Sequence, residues 1–169
     1  MKSRIRLLIV ALSLLLSVAA CGVNRYYIVR HADRFEAEDS LTASGMARAG
    51  LLRDLLQNKH LTKIYSTDTR RTRRTATPIS ETLHLPVTIY SSDTLQQFVE
   101  HLKKLKGKNV LIVGHSNTVD DIANMLCGAQ VVKGDLSFTE YDNIFFVQRK
   151  TGSHPSPIFK SIQYGPTTE

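Results

Sequence analysis

The first stretch that could do chemistry is Tyr26-Tyr27-Ile28-Val29-Arg30-His31-Ala32-Asp33-Arg34. An apolar, β-type run stops at Arg-His, and an Asp and a second Arg follow. A strand that ends in a reactive residue delivers it to the carboxyl edge of a sheet, where open α/β folds bind ligands. At that edge His31, flanked by Arg30 and Arg34, is a neutral imidazole in an anion-attracting setting, suited to attack on phosphorus. The nearby arginines lower its pKa and keep it neutral.

A second apolar strand ends the same way, in Ile112-Val113-Gly114-His115. In a parallel sheet the two ends share one edge, so His31 and His115 can share one pocket. Gly114 removes a side chain where a ligand must come close, and the amides opening the next helix favour an anion there. A third segment, Ser66-Thr67-Asp68-Thr69-Arg70-Arg71-Thr72-Arg73-Arg74-Thr75-Ala76, also leaves a strand and opens a helix. At 100° per residue its four arginines spread around the helix, so one or two reach a ligand.

The elements that must position these residues alternate. Strands are expected at about Arg25–Val29, Lys63–Ser66, Pro86–Tyr90, Asn109–Val113, Ile144–Gln148 and Ile158–Gln163. Helices are expected over about 43–58, capped by Thr42, then 69–83, 95–105 and 119–127. Gly45 and Gly50 weaken the first of these, so packing must hold it. Pro78 should kink or split the second. A turn is expected at His154–Pro157, and the tail after Gly165 reads as loose. Alternation of this kind implies one α/β domain, a three-layer α/β/α sandwich on a mostly parallel sheet.

Ahead of this domain, Lys2, Arg4 and Arg6 precede the apolar run Leu7–Leu16, and Val18-Ala19-Ala20 leads to Cys21. That is the plan of an export signal, too short for a membrane span. Val-Ala-Ala-Cys resembles the lipobox of bacterial lipoproteins. The resemblance implies a signal peptide at 1–20, a lipid on Cys21, a tether over 21–25, and a domain over 26–165 in the bacterial envelope. Without residues 1–20 the formal charge falls from +7 to +4, too low for nucleic-acid binding. Cys127 would be the one free cysteine, so no internal disulfide is expected.

Arg30-His31, the Ser-Thr-Asp-x-x-Arg-Thr-x-x-Thr-Ala segment and Gly114-His115, in that order, resemble the histidine phosphatase superfamily, with its phosphoglycerate-mutase-like fold. Gly-His-Ser-Asn-Thr-Val and the later Glu140-Tyr141-Asp142 look like a small, exported bacterial branch. The resemblance implies a metal-independent, cofactor-free phosphatase acting on phosphorylated small molecules. His31 would become phosphohistidine. Arg30 would hold the phosphate, Arg71 would be the second clamp, and His115 would stabilise the equatorial oxygens. Arg70 and Arg74 would be surface charges or substrate contacts.

Arg34 is either a phosphate contact or a surface charge. The acid that protonates the leaving group has no match; Asp93, Asp33, Glu100 and Asp142 are candidates, with Asp93 ahead because it lies just past a strand end. Without an acid, good leaving groups are favoured, phosphohistidine among them. A protein-phosphohistidine phosphatase and a non-catalytic phospho-ligand-binding lipoprotein are the alternatives. The run at 70–74 lacks the interleaved aromatics of a nucleic-acid site. His31-x-Asp33 has no partner pair at metal-ligand spacing. Asp120 and Asp121 offset a helix dipole.

Overall fold

A computed structural model of the chain describes residues 22–151 and 156–168. The expected signal segment 1–20, Cys21, and His154 and Pro155 of the expected turn lie outside the described residues. Six strands form one sheet: β1 (Val23–Arg30), β2 (Lys63–Ser66), β3 (Val87–Ile89), β4 (Asn109–Gly114), β5 (Asn143–Lys150) and β6 (Ile158–Gln163). Their order is β3-β2-β4-β1-β5-β6. β3, β2, β4 and β1 run parallel, β5 runs antiparallel to β1, and β6 runs antiparallel to β5. Three of the residues read as tether, 23–25, are therefore strand.

The strand side chains alternate between two cores. Tyr26, Ile28, Val110 and Ile112 face α3 (Leu95–Lys104) and α4 (Val119–Cys127), where Val99, Leu102, Ile122 and Leu126 cover them. Tyr27, Val29, Leu111 and Val113 face α1 (Ala43–Leu56) and α2 (Arg70–Leu83), meeting Leu52, Leu56, Ala76 and Ile79. Three layers follow, because each strand of the central pair is apolar on both faces.

α1 opens at Thr42, whose hydroxyl accepts from the Gly45 amide at 3.1 Å. Its two glycines cost about 1 kcal/mol each relative to alanine. Full burial of Leu52 and Leu56 contributes about 2–3 kcal/mol each, so packing outweighs propensity. α2 runs unbroken past Pro78, contrary to the expected split. The lost hydrogen bond is local, while Thr72, Thr75, Ala76 and Ile79 are fully buried along the same helix.

The tail is not loose. Buried Arg48 donates to the carbonyls of Tyr164 at 2.9 Å and Pro166 at 3.0 Å, and Thr168 accepts from the Tyr141 amide at 3.0 Å. A guanidinium in the middle of α1 was silent about this destination at the level of sequence.

The candidate active site

β1, β2, β3 and β4 end at one edge. Arg30 pairs in register with Gly114, and the His31 amide donates to the Gly114 carbonyl at 2.9 Å. This sets His31 and His115 level, with ring centroids 5.6 Å apart. Both face a cavity of about 360 Å³ that Arg30, Arg34, Arg71, Ser92 and Phe138 also line. A second cavity of about 310 Å³, lined by Thr67, Thr69, Ile89 and Ser91, shares Ser92 and His115 with it.

The hydrogen bonds assign the tautomers. His31 Nδ1 lies 2.9 Å from the Ala32 carbonyl. A carbonyl only accepts, so Nδ1 carries the proton and Nε2 keeps a free lone pair. His115 is opposite. The Arg71 guanidinium, which only donates, lies 3.2 Å from Nδ1. Nε2 therefore carries the proton and donates to the Thr67 hydroxyl at 2.9 Å. Thr67 donates to Thr72 at 3.1 Å, and Thr72 donates to the Thr67 carbonyl at 2.9 Å. Thr75 accepts from the Ala32 amide at 2.9 Å, fixing the backbone just past His31.

Burial is the first cause of the low histidine pKa values. His31 is 3 % exposed, and its pKa is lowered to about 3 by desolvation first, then by Arg30, Arg71 and His115. His115 is lowered to about 4, again by desolvation before Arg71. The arginines, expected to dominate, come second: taking a cation out of water costs more here than the neighbouring charges add.

Arg30 donates to the carbonyls of Ser137 at 2.7 Å and Glu140 at 3.0 Å, and lies 4.1 Å over the Tyr141 ring. Arg71 pairs with Asp39 at 2.9 Å. The Nε groups of both arginines are buried without a partner. Two orphan cationic donors beside two neutral imidazoles suit an anion with several acceptor oxygens. Asp39 also accepts from the amides of Arg70 at 2.7 Å and Arg71 at 3.1 Å. Its slight burial opposes ionisation, but these donors outweigh it and hold its pKa below the carboxylate range.

Of the four arginines on α2, Arg71 alone lines the first cavity. Arg73 pairs with Asp68, and Arg70 and Arg74 are exposed. Arg34 stands at the rim, donating to the carbonyls of Phe35 and Glu36 within its own loop. Gly114 makes room for the protein rather than a ligand: a Cβ there would meet the Tyr90 hydroxyl at 2.8 Å and the Thr118 hydroxyl at 2.9 Å.

The acid candidates disperse. Asp33 is held by Arg48 at 2.7 Å, and Glu100 by Lys103 at 2.8 Å. Asp142 is buried at the start of β5, 3.5 Å from the Thr168 hydroxyl. Asp93 sits exposed in the short 3₁₀ turn Ser92–Thr94, and its neighbour Ser92 is the residue that lines both cavities. Among the described residues no group of three His, Cys, Asp or Glu side chains could hold a metal ion.

Asp39, Thr67, Ser92 and Tyr141 escaped the sequence reading as members of the site. Thr67 lies inside the quoted segment at 66–76, and Tyr141 inside Glu-Tyr-Asp. Asp39 carried no signal beyond an acidic loop.

The family model for the histidine phosphatase superfamily (branch 1) matches residues 26–96, a span that includes His31, Arg71 and Ser92. A search of curated proteins returned no match. Solved structures share the fold. Phosphoglycerate mutase from Plasmodium falciparum is 16% identical, with a TM-score of 0.60 over 88% of this chain and 94% of that one. SixA from Agrobacterium tumefaciens, assigned as a phosphohistidine phosphatase, is 18% identical, with a TM-score of 0.56 over 78% and 97%. Phosphoserine phosphatase from Entamoeba histolytica, solved with 3-phosphoglyceric acid, is 13% identical, with a TM-score of 0.60 over 84% and 98%. The Arg-His strand end and the arginine helix both lie inside the span that matches the histidine phosphatase model, and the fold around them is the one seen in phosphoglycerate mutase and its structural neighbours.

Proposed function

We propose that this protein hydrolyses phosphate monoesters through a phosphohistidine on His31, without a metal. The observation that carries the reading is the His31 ring: Nδ1 is committed to the Ala32 carbonyl, and Nε2 keeps its lone pair in a cavity bounded by Arg30, Arg71 and His115. In the first step Nε2 forms a bond to phosphorus as the ester P–O bond breaks, and the leaving oxygen takes the electron pair and then a proton from solvent water. In the second, water adds to phosphorus, the P–N bond breaks, and the water's proton is released. Charge in a loose phosphoryl transition state is stabilised mainly by preorganised donors. The unpartnered Nε groups of Arg30 and Arg71 fit that task.

Of the carboxylates weighed as the acid, none lines the first cavity. Substrates whose leaving group needs little protonation follow from this. A second reading, a protein-phosphohistidine phosphatase, gains support from the same observation and from the fold shared with SixA. A binding protein without turnover is the outcome if phosphate binds and no ester is cleaved.

The same proposal places the domain on a bacterial envelope membrane through a lipid on Cys21, after removal of residues 1–20. Among the described residues no helix is long and apolar enough to cross a membrane. Mass spectrometry of the mature chain should find Cys21 at its N-terminus, acylated. For the chemistry, we expect release of 4-nitrophenol from its phosphate ester in the presence of chelator, and its loss in His31→Ala. A brief reaction quenched in alkali should leave one phosphoryl group on the chain at His31. Turnover that survives His31→Ala would overturn the mechanism.

A further inference from the structure

The edge of the sheet opposite the candidate active site is basic without interspersed carboxylates. Gly22 lies there, pinned: a Cβ on it would meet the Gly107 amide nitrogen at 2.3 Å, and its carbonyl accepts from the Thr151 amide at 3.0 Å. The turns on either side are bonded together around it. The Arg25 amide donates to the Lys108 carbonyl, the Thr62 amide to the Asn109 carbonyl, and the Asn109 side chain to the Lys59 carbonyl, each at 2.8 Å.

These contacts gather Arg25, Lys59, Lys63, Lys106, Lys108 and Lys150 at one edge. Residues 22–25, 57–63, 84–86 and 104–109, which build that edge, contain no Asp or Glu. Among the described residues none of the six joins an ion pair. At the other edge Asp33, Glu36, Glu38, Asp39, Asp93 and Glu140 are interspersed with Arg30, Arg34, Arg70, Arg71, Arg73 and Arg74 around the candidate site.

We infer that this lysine-rich edge lies against an anionic bilayer surface and holds the candidate active site away from it. The inference rests on the lipid-anchor reading, because what aims this edge at a membrane is the position of Cys21. Cys21 directly precedes pinned Gly22 in the chain. The lysines would then stand within the Debye length of about 10 Å, where anionic headgroups attract basic clusters. β1, eight residues long, spans about 26 Å from this edge to His31. The substrate would then be a water-soluble phosphate reaching the domain from the aqueous side, not a phospholipid in the anchoring leaflet.

The test uses the full chain made in a bacterium, extracted from membranes and placed in lipid discs. One set of discs is phosphatidylcholine alone; in the other, phosphatidylglycerol replaces part of it. Backbone hydrogen exchange is followed by mass spectrometry. We expect exchange in 57–63 and 104–109 to slow about tenfold or more in the phosphatidylglycerol discs alone. Raised salt should reverse it, as should the triple variant Lys106→Glu, Lys108→Glu and Lys150→Glu. If the variant misfolds, the salt titration on the wild-type chain decides. Equal exchange in the two sets, or protection around 33–42 instead, would overturn the inference. If Cys21 proves unacylated, the anchor reading fails separately. Sedimentation of the same chain with phosphatidylglycerol vesicles then decides, and a chain left in the supernatant overturns docking.

Discussion

Asp39 does at the residue scale what a motif does not advertise. Its carboxylate holds the first amides of α2 and one face of the Arg71 guanidinium, leaving Arg71 Nη2 on His115 and Nε unpartnered beside the cavity. It acts on phosphate through Arg71, so it is a positioning residue. The pair is partly exposed, and exposed pairs are individually weak. We therefore expect Asp39→Ala to raise KM for an aryl phosphate roughly 3- to 10-fold while kcat changes less. Asp39 also raises the His115 pKa, opposing Arg71, so the acid limb of the pH–rate profile should move lower in the variant. An unchanged KM and an unchanged acid limb would mean that Asp39 only caps the helix. Nothing in the sequence marks this carboxylate out from Glu36 or Glu38. Its place is set by the path of the loop, which an isolated bridge between Arg34 and Leu41 closes.

At the scale of elements, α1 holds two glycines that look alike in sequence and differ in the fold. A Cβ on Gly45 would meet the Asp33 carbonyl oxygen at 2.0 Å, whereas one on Gly50 would meet nothing within 4 Å. Gly45 lets the loop that leaves His31 lie against the helix; Gly50 only costs backbone entropy. Gly50→Ala should stabilise the protein by about 0.5–1 kcal/mol in a denaturant titration. Gly45→Ala should destabilise it by about 1–3 kcal/mol and lower turnover, since the displaced loop carries Asp33 and Asp39. Equal effects at the two positions would refute this reading of α1. The elements themselves were legible, because apolar strands and amphipathic helices announce their periods. The meeting of the two histidines was legible for the same reason: each ends an apolar strand, and parallel strands share an edge. The long-range ties were not. Arg48 on Asp33 and on the tail, and Thr75 under Ala32, join partners far apart in the chain that no local pattern links. Gly114 was read for a ligand and serves the packing of Tyr90 and Thr118 instead.

For the whole molecule, keeping two imidazoles neutral in a buried cationic site links stability to pH. The folded pKa values, about 3 for His31 and about 4 for His115, lie below the ordinary value near 6.5. Below that value the unfolded chain binds protons that the folded chain refuses. Stability is therefore fully present above about pH 6.5, falls as pH drops, and levels off only below the folded values. Buried His31 alone accounts for a loss on the order of a few kcal/mol across that range. Carboxylates with lowered pKa, such as Asp39, add losses only nearer pH 4, so the interval from about pH 6.5 to 4.5 isolates the histidines. Thermal melts across that interval should show the midpoint falling steadily in the wild-type chain. In the double variant His31→Gln, His115→Gln the same plot should be much flatter, whatever the variant's absolute stability. A slope that survives the double replacement would mean that the two rings take up protons in the folded protein as readily as in the unfolded one. The neutral nucleophile on which the phosphatase reading depends would then have no basis in burial.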